Sequence, residues 1–248
     1  MIDIHCHILS QVDDGSDSLD MSLEMIATAY DSGVRSMIAT PHCYPGLYDN
    51  FADPYLQQAW DELYAAVHAA GIPMHLYQGM EILAFDELPV LLQEGGVWTL
   101  NGTPYFLIEF NFNEDPSYCK KILSACIAAG YRPIIAHPAR YFFVQEDPSV
   151  VYEWYMMGCG IQLNKGTLLK RNGHRAYEIG RSLLRHHLVS CVASDAHETA
   201  MRTTDLDEVR EYLINEYNEE YAYMLLEENP SRILEGKKLV GYTPRAYK

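Results

Sequence analysis

The sequence has no apolar run approaching the roughly 20 residues that cross a bilayer, no Cys-x-x-Cys pair, no low-complexity tract, no internal repeat and no stretch that reads as an interdomain linker. Each absence removes a class of protein. Membrane insertion is not expected. Met1-Ile2-Asp3-Ile4-His5 opens on a strand-like pattern in place of the charged and then apolar stretches of a secretory leader, which predicts a cytoplasmic protein. The six cysteines (Cys6, Cys43, Cys119, Cys126, Cys159, Cys191) mostly sit inside apolar segments, where a reduced thiol packs as a small hydrophobe. Basic residues are also scarce, 18 Lys and Arg against 34 Asp and Glu for a formal charge of -16, and they are scattered. Such a surface repels a phosphate backbone, so nucleic-acid binding is not expected.

What is present is ordinary globular composition, 48% hydrophobic and 21% charged, in 248 residues. That length suits one α/β barrel, so a single domain over residues 1–248 is the first reading. Short apolar strands alternate with helical periodicity, the pattern of a parallel sheet with crossover helices. Seven strands are predicted: Ile2 to His7, Arg35 to Thr40, Pro73 to Glu81, Tyr105 to Phe110, Arg132 to His137, Gly160 to Asn164 and Val189 to Asp195. Helices are predicted at Leu19 to Asp31, Tyr55 to Ala70, Pro116 to Ala129, Pro148 to Met157 and His174 to His186. Asp205 to Tyr217, Glu219 to Glu228 and Pro230 to Glu235 read as a helical tail.

Catalytic groups of α/β barrels sit at the C-terminal ends of the strands, and nearly every predicted strand here ends in a metal ligand. The first offers His5 and His7, the second His42, the third Glu81, the fourth Glu109, the fifth His137 and the seventh Asp195 with His197; the sixth ends blandly in Gln162 and Asn164. A period of two puts both imidazoles of His5-Cys6-His7 on one side of a strand, and Asp195-Ala196-His197 repeats the geometry. A lone strand-end histidine is more often a satisfied core residue, but eight coincident ligands reverse that reading. Asp14, in Asp13-Asp14-Gly15, would add a ninth, although Asp-Gly is also an ordinary turn pair. Imidazole and carboxylate without thiolate suit manganese, zinc or iron. Nine ligands are too many for one ion and suit two or three sharing a bridging carboxylate. Arg140 and Arg202 stand in the same layer, as forks for phosphate oxygens or as surface ion pairs.

These residues resemble the polymerase and histidinol phosphatase (PHP) superfamily and, within it, the bacterial manganese-dependent tyrosine phosphatases of capsule and exopolysaccharide synthesis, the CpsB/CapC/YwqE type. The likeness rests on Met1 to Ile8 with Val12 to Gly15, Thr40-Pro41-His42, Gly79 to Ile82, Leu107 to Phe110, Ile135 to Tyr141, Gln162-Leu163-Asn164 and Ala193 to His197, and covers nearly the whole chain. It implies a distorted (β/α)7 barrel of the TIM-like kind with a C-terminal helical tail. It implies a division of ligands: His5, His7, Glu81 and Asp195 for one ion, Glu81, Glu109 and His137 for a second, Asp14, His42 and His197 for a third. It implies manganese, phosphate contacts from Arg140 and Arg202, a bacterial tyrosine autokinase as the phosphotyrosine-bearing partner, and a homo-oligomer such as a ring.

In that reading a metal-activated water attacks phosphorus in line, the arginines hold the equatorial oxygens, Asp14 or His42 returns a proton to the leaving oxygen, and the aromatic loop Tyr44 to Phe51 borders the phenyl ring. Four alternatives stand beside it. Cys126 to Arg132 satisfies the Cys-x5-Arg spacing of thiol phosphatases, but Cys126 falls in an apolar helix and Arg132 opens the next strand. Amidohydrolases also begin with His-x-His, though they place a lysine where this chain has Glu109. Small phosphomonoesters such as histidinol phosphate are the alternative substrates, and a metal-binding scaffold without turnover is the remaining class.

Overall fold

In the computed structural model, which describes residues 1–247, all strand pairings are parallel. The strands are β1 (Ile2–Cys6), β2 (Ser36–Ala39), β3 (His42–Cys43), β4 (His75–Gln78), β5 (Glu81–Leu83), β6 (Tyr105–Glu109), β7 (Arg132–Ile135), β8 (Gly160–Asn164) and β9 (Cys191–Ala193). They form two hydrogen-bonded sheets, β1-β2-β4 and β3-β5-β6-β7-β8-β9.

The predicted third strand, Pro73 to Glu81, is thus broken in two, and the predicted second, Arg35 to Thr40, is followed beyond Pro41 by a separate short strand; the sequence explains both breaks. Pro41 has no N–H to give to a ladder. A Cβ on Gly79 would lie 2.8 Å from the side chains of Ile38 and Leu100, so only glycine allows that close passage. Across the seam Glu81 N–H donates to the Pro41 carbonyl (3.1 Å), and at the far edges Asp195 N–H donates to the His5 carbonyl (2.9 Å) and His7 N–H to that of Ala196 (2.8 Å). The result is one curled parallel sheet whose outer strands meet.

Helices cover the outside. Leu19–Asp31, Pro54–Ala69 and Pro116–Ala128 start on Ser18, Asp53 and Asp115, whose side chains accept the N–H of Met21, Leu56 and Ser117. Ser149–Met156 and His174–Arg185 start after Pro148 and Gly173, without a side-chain cap. Leu88–Glu94, Phe142–Glu146 and Lys165–Leu168 were not read from periodicity, because four to seven residues give it too few turns to register. After β9 come Asp207–Glu216, Glu219–Tyr223, a π-helical turn Met224–Glu228 and Asn229–Leu234. No helix is long and apolar enough to cross a membrane.

Apolar packing divides into an outer and an inner layer. The outer layer lies between sheet and helices and includes Met25, Leu63, Leu123, Trp154 and Leu183. The inner layer, inside the curl, joins Ile4, Ile38, Leu107, Ile134, Ala136, Cys191 and Ala193, and Ile233 with Leu234 packs against it from the last helix. Along β6, Tyr105 and Leu107 share their face with Glu109, so the apolar filling gives way to titratable groups at the C-terminal ends of the strands.

Candidate metal centre

Four local devices aim the polar side chains inward. The register of β1 on β2 shifts between Asp3 and Cys6, a bulge of the kind that re-aims side chains, and so Ile4 and His5 both reach the interior. His42 and Glu81 stand at the first positions of the short strands β3 and β5, beyond the two breaks, and not at the ends of uninterrupted strands. His137 and Asp195 leave β7 and β9 with φ of 36° and 51°. Left-handed backbone outside glycine is strained, and such strain gathers where surrounding structure imposes a functional geometry. Buried Asp3 ties the two edges, its Oδ1 accepting Ser194 N–H (3.0 Å).

All nine predicted ligands converge. The Nε2 atoms of His5 and His7 are 3.3 Å apart. Glu81 Oε2 lies 3.1 Å from the first and 3.3 Å from the second, and Asp195 Oδ1 lies 3.4 and 3.7 Å away. His137 Nε2 is 2.6 Å from Glu81 Oε1 and 3.7 Å from Glu109 Oε2. His42 faces two ways: Nδ1 is 3.3 Å from Glu81 and 3.2 Å from Glu109, while Nε2 is 3.4 Å from Asp14. His197 Nε2 is 3.5 Å from Asp14. Three groups could hold an ion, each with ligand atoms within 4.8 Å of one another: His5, His7, Glu81, Asp195; His7, Asp14, His42, His197; and His42, Glu81, Glu109. The second and third differ from the division that the resemblance implies, because His7 joins the Asp14 group and His42 joins the two glutamates in the place given to His137, which stands beside them, 2.6 Å from Glu81.

The donor set fits divalent cations on a direct observation. His42 Nδ1, Glu81 Oε2 and His197 Nε2 are buried polar atoms without a hydrogen-bond partner, and burying such atoms unpaired is costly. Lone pairs on two imidazoles at 3.3 Å repel unless a proton or cation lies between them. Bonds of about 2.0–2.2 Å to a shared cation put neighbouring ligand atoms roughly 3.0–3.6 Å apart, the range of most distances above.

In the absence of a cation, protons and ion pairs carry the balance. Burial works against charging His5, His7 and His42. For His5 the Glu81 and Asp195 carboxylates outweigh it, for His7 Asp13 and Glu81 do, and for His42 Glu81 and Glu109 do, so all three titrate above an ordinary imidazole. Burial likewise opposes ionisation of Glu81 and Asp195. His5 and His137 overcome it at Glu81, and His5 and Arg202 at Asp195, holding both below the usual carboxylate range. His197 goes the other way, down to about 4, because burial and then neighbouring His7 disfavour its cation. Its Nδ1 faces the Asp195 carbonyl (3.1 Å), which leaves the Nε2 lone pair turned to the cluster.

Several residues that strand-end reasoning passed over hold this array in place. Asp13 is one: its Oδ2 lies 2.8 Å from His7 Nδ1 and accepts the His42 N–H at 2.8 Å, while Oδ1 accepts the Gly15 N–H at 2.9 Å. Gln162 Oε1 lies 3.3 Å from His5 Nδ1 and accepts the His137 N–H (3.0 Å), and Asn164 donates to Asp195 Oδ2. These contacts fix ring orientation and tautomer as carboxylate and amide partners of metal-bound histidines do. Tyr141 hydroxyl donates to the Ala136 carbonyl (2.8 Å) and accepts the Phe110 N–H (3.1 Å), clamping the ends of β6 and β7.

Arg140 and Arg202 both reach Asp195, at 3.3 and 2.9 Å. The Arg140 guanidinium also lies over the Phe112 ring, 5.0 Å from its centroid. An open cleft of about 490 Å3 exposes the cluster, with Tyr44, Leu47, Tyr48 and Phe112 on its walls beside both arginines. Phe51 instead packs against the core. Cys126 is buried in its helix, where burial pushes its thiol up to about 12, and it forms no part of this cleft. That disposes of the Cys-x5-Arg reading.

Fold and cluster together define a class: parallel α/β proteins that gather imidazoles and carboxylates at the C-terminal edge of a curled sheet. Within that class the chain belongs to the CpsB/CapC family of capsular polysaccharide synthesis, whose model matches residues 1–235. Tyrosine-protein phosphatase YwqE of Bacillus subtilis is 35% identical over 248 residues, 100% of this chain and 97% of the relative. Tyrosine-protein phosphatase CpsB of Streptococcus agalactiae is 31% identical over 239 residues, 94% and 98%. A solved structure from work on YwqE of B. subtilis and CpsB of Streptococcus pneumoniae, described as metal-dependent tyrosine phosphatases, superposes with a TM-score of 0.94 at 35% identity, covering 100% of both chains.

Proposed function

We propose that this chain is a cytoplasmic, metal-dependent tyrosine phosphatase of capsule or exopolysaccharide synthesis that acts on the phosphotyrosine of a bacterial tyrosine autokinase. The curled sheet is read as a distorted (β/α)7 barrel, with β2 and β3, and β4 and β5, each counting as one bent strand of a single domain over residues 1–248. The observation that carries the proposal is the convergence of nine imidazoles and carboxylates, from His5 to His197, with buried Glu81 at their centre. Family membership supports the substrate.

His5, His7, Glu81 and Asp195 are assigned to one cation, Glu81, Glu109 and His137 with His42 at the border to a second, and Asp14, His42 and His197 to a third. Manganese is the expected metal, with zinc or iron as alternatives. Divalent cations held there supply the Lewis acidity and positive charge for attack of water on a phosphomonoester.

The rest is the protein's own. Arg140 and Arg202 offer planar forks to the phosphoryl oxygens. Phe112 beneath Arg140 restrains its plane, and Tyr44, Tyr48 and Phe112, which line the same cleft, are walls for a phenyl ring. Asp14 and His42, 3.4 Å apart, are the candidates for returning a proton to the leaving oxygen, a step on which a phenolate makes small demand.

Metal-stripped protein tested on a phosphotyrosine peptide should be inactive and should recover when Mn2+, Zn2+ or Fe2+ is restored separately, most fully with Mn2+. Cys126→Ser should retain full activity. No recovery with any cation would sink the assignment.

A further inference from the structure

A second cavity, of about 580 Å3, shares a wall with the metal cleft, since Asp195 and Arg202 line both. Its remaining walls come from the short helix and turn after β8, with Lys165, Arg171 and Asn172, and from the loop after Asp195, with Met201 and Thr203. Hydrogen-bond donors dominate this recess. Lys165 is only 3% exposed, and its Nζ donates to Thr203 Oγ1 (2.9 Å) and to the Asp205 carbonyl (2.5 Å), leaving a third N–H without an acceptor among the described residues. Asn172 Oδ1 accepts the Thr167 hydroxyl (3.2 Å), so its amide N–H groups are the part left to donate.

The nearby carboxylates are already engaged. Asp195 is held by Asn164, Arg140 and Arg202, Glu208 lies 2.5 Å from one Arg171 nitrogen, and Asp205 accepts the Asp207 N–H (2.7 Å). Arg171 and Arg202 keep their other N–H groups for a ligand. A donor-lined, cationic recess is out of character for a chain of net charge -16, whose surface as a whole repels anions. At its rim Met201 is 77% exposed, and Leu47 is 64% exposed at the adjoining cleft.

We propose that this recess is a specificity subsite for the carboxylate of an acidic residue flanking the phosphotyrosine of the substrate, seated while the phosphate occupies the adjoining cleft. The proposal rests on the phosphatase reading and adds to it a preference for sequence around the phosphotyrosine. The planar Arg171 guanidinium matches a carboxylate, while Arg202 stays with the phosphate on the shared wall. Because Arg202 forms the shared wall, the flanking residue has to be a close neighbour of the phosphotyrosine in the peptide.

The test compares kcat/KM of Mn2+-loaded protein for phosphotyrosine peptides in which each neighbouring position is Glu, Gln or Lys, with p-nitrophenyl phosphate as a substrate too small to reach the recess. Glu at one position should be preferred over Gln by about three- to fivefold, as for a partly exposed ion pair, and the preference should shrink as salt is added. Arg171→Gln should erase it and Arg171→Glu should turn it toward Lys, with turnover of p-nitrophenyl phosphate unchanged in both. Equal rates for all peptides, a parental preference for Lys, or a Glu preference that survives Arg171→Gln would overturn the subsite while leaving the phosphatase reading intact. Turnover of p-nitrophenyl phosphate with none of any peptide would instead remove the phosphotyrosine-protein reading, and the subsite with it.

Discussion

The two ends of the curled sheet are built from the same strands and stabilised by opposite means. Toward the strand N-termini the interior is Ile4, Ile38, Leu107, Ile134 and Cys191, closed by Ile233 and Leu234, and its stability follows from apolar surface removed from water. A few residues further along the same strands stand His5, Glu109, His137 and Asp195, all buried, where removal from water is a penalty. One end holds itself together, whereas the other depends on proton sharing and ion pairs or on cations. The contrast teaches that the ligand end is the part of the molecule whose stability is conditional on what is bound.

The sharpest way to break this comparison is Glu81→Gln, which removes the carboxylate shared by His5, His7, His42 and His137. Turnover of a phosphotyrosine peptide should fall to background and cation uptake should drop. The metal-free variant should also melt below the metal-free parent, because the buried imidazoles that Glu81 helps to keep charged lose a shared partner. A metal-free midpoint equal to or above the parent's would show that the ion pairs around Glu81 do not hold that end together. Leu107→Ala, at the other end, should cost about 2–5 kcal/mol by denaturant titration, while activity per folded molecule and cation stoichiometry stay at the parent's values. Loss of cations from that variant would mean that the two ends are not separable.

Much of this division was legible in the amino-acid order. A polar residue ending each of six predicted strands is a one-dimensional signal, and the period of two places it on the same face as the apolar residues behind it, as with Leu107 and Glu109. What could not be read were the devices that depend on backbone detail. The breaks at Pro41 and Gly79, the bulge after Asp3 and the left-handed turns at His137 and Asp195 move side chains by one register without altering the periodicity. Asp13 was passed over for a related reason. In Asp13-Asp14-Gly15 either acid can face the cluster, and only the folded turn shows Asp14 in the cleft with Asp13 buried behind His7. Gln162 and Asn164 read as bland because amides that hold ligands in place resemble any buried polar pair.

Asp13 offers a smaller, sharper version of the comparison. It touches His7, which borders two ligand groups, and the backbone of His42, which borders two, so a single carboxylate steadies several positions at once. Asp13→Asn keeps the shape but weakens the acceptor for His7 Nδ1, and cation affinity should fall by about 10–100-fold, read by titration with Mn2+. Unchanged affinity would make Asp13 a turn residue only.

The smallest expected effect is the most direct probe of conditional stability. In the metal-free protein His5, His7 and His42 titrate above an ordinary imidazole because Glu81, Asp195, Asp13 and Glu109 outweigh their burial. A group whose folded pKa is raised contributes its full stabilisation below the unfolded value, about 6.5 for histidine, and loses it as pH climbs toward the folded value. The depressed values of Glu81, Asp195 and Asp14 act at the acid end, where stability drains away as pH falls, and His197, lowered to about 4, adds to that acid loss. Metal-free protein should therefore weaken as pH rises above about 6.5, whereas the loaded protein, with those imidazoles already unprotonated and cations competing with fewer protons, should not. The gap between the two melting midpoints should widen with pH, each kcal/mol showing as roughly 2–4 °C for a chain of this size. A gap that stays constant or narrows would mean that His5, His7 and His42 do not hold their protons in the metal-free fold.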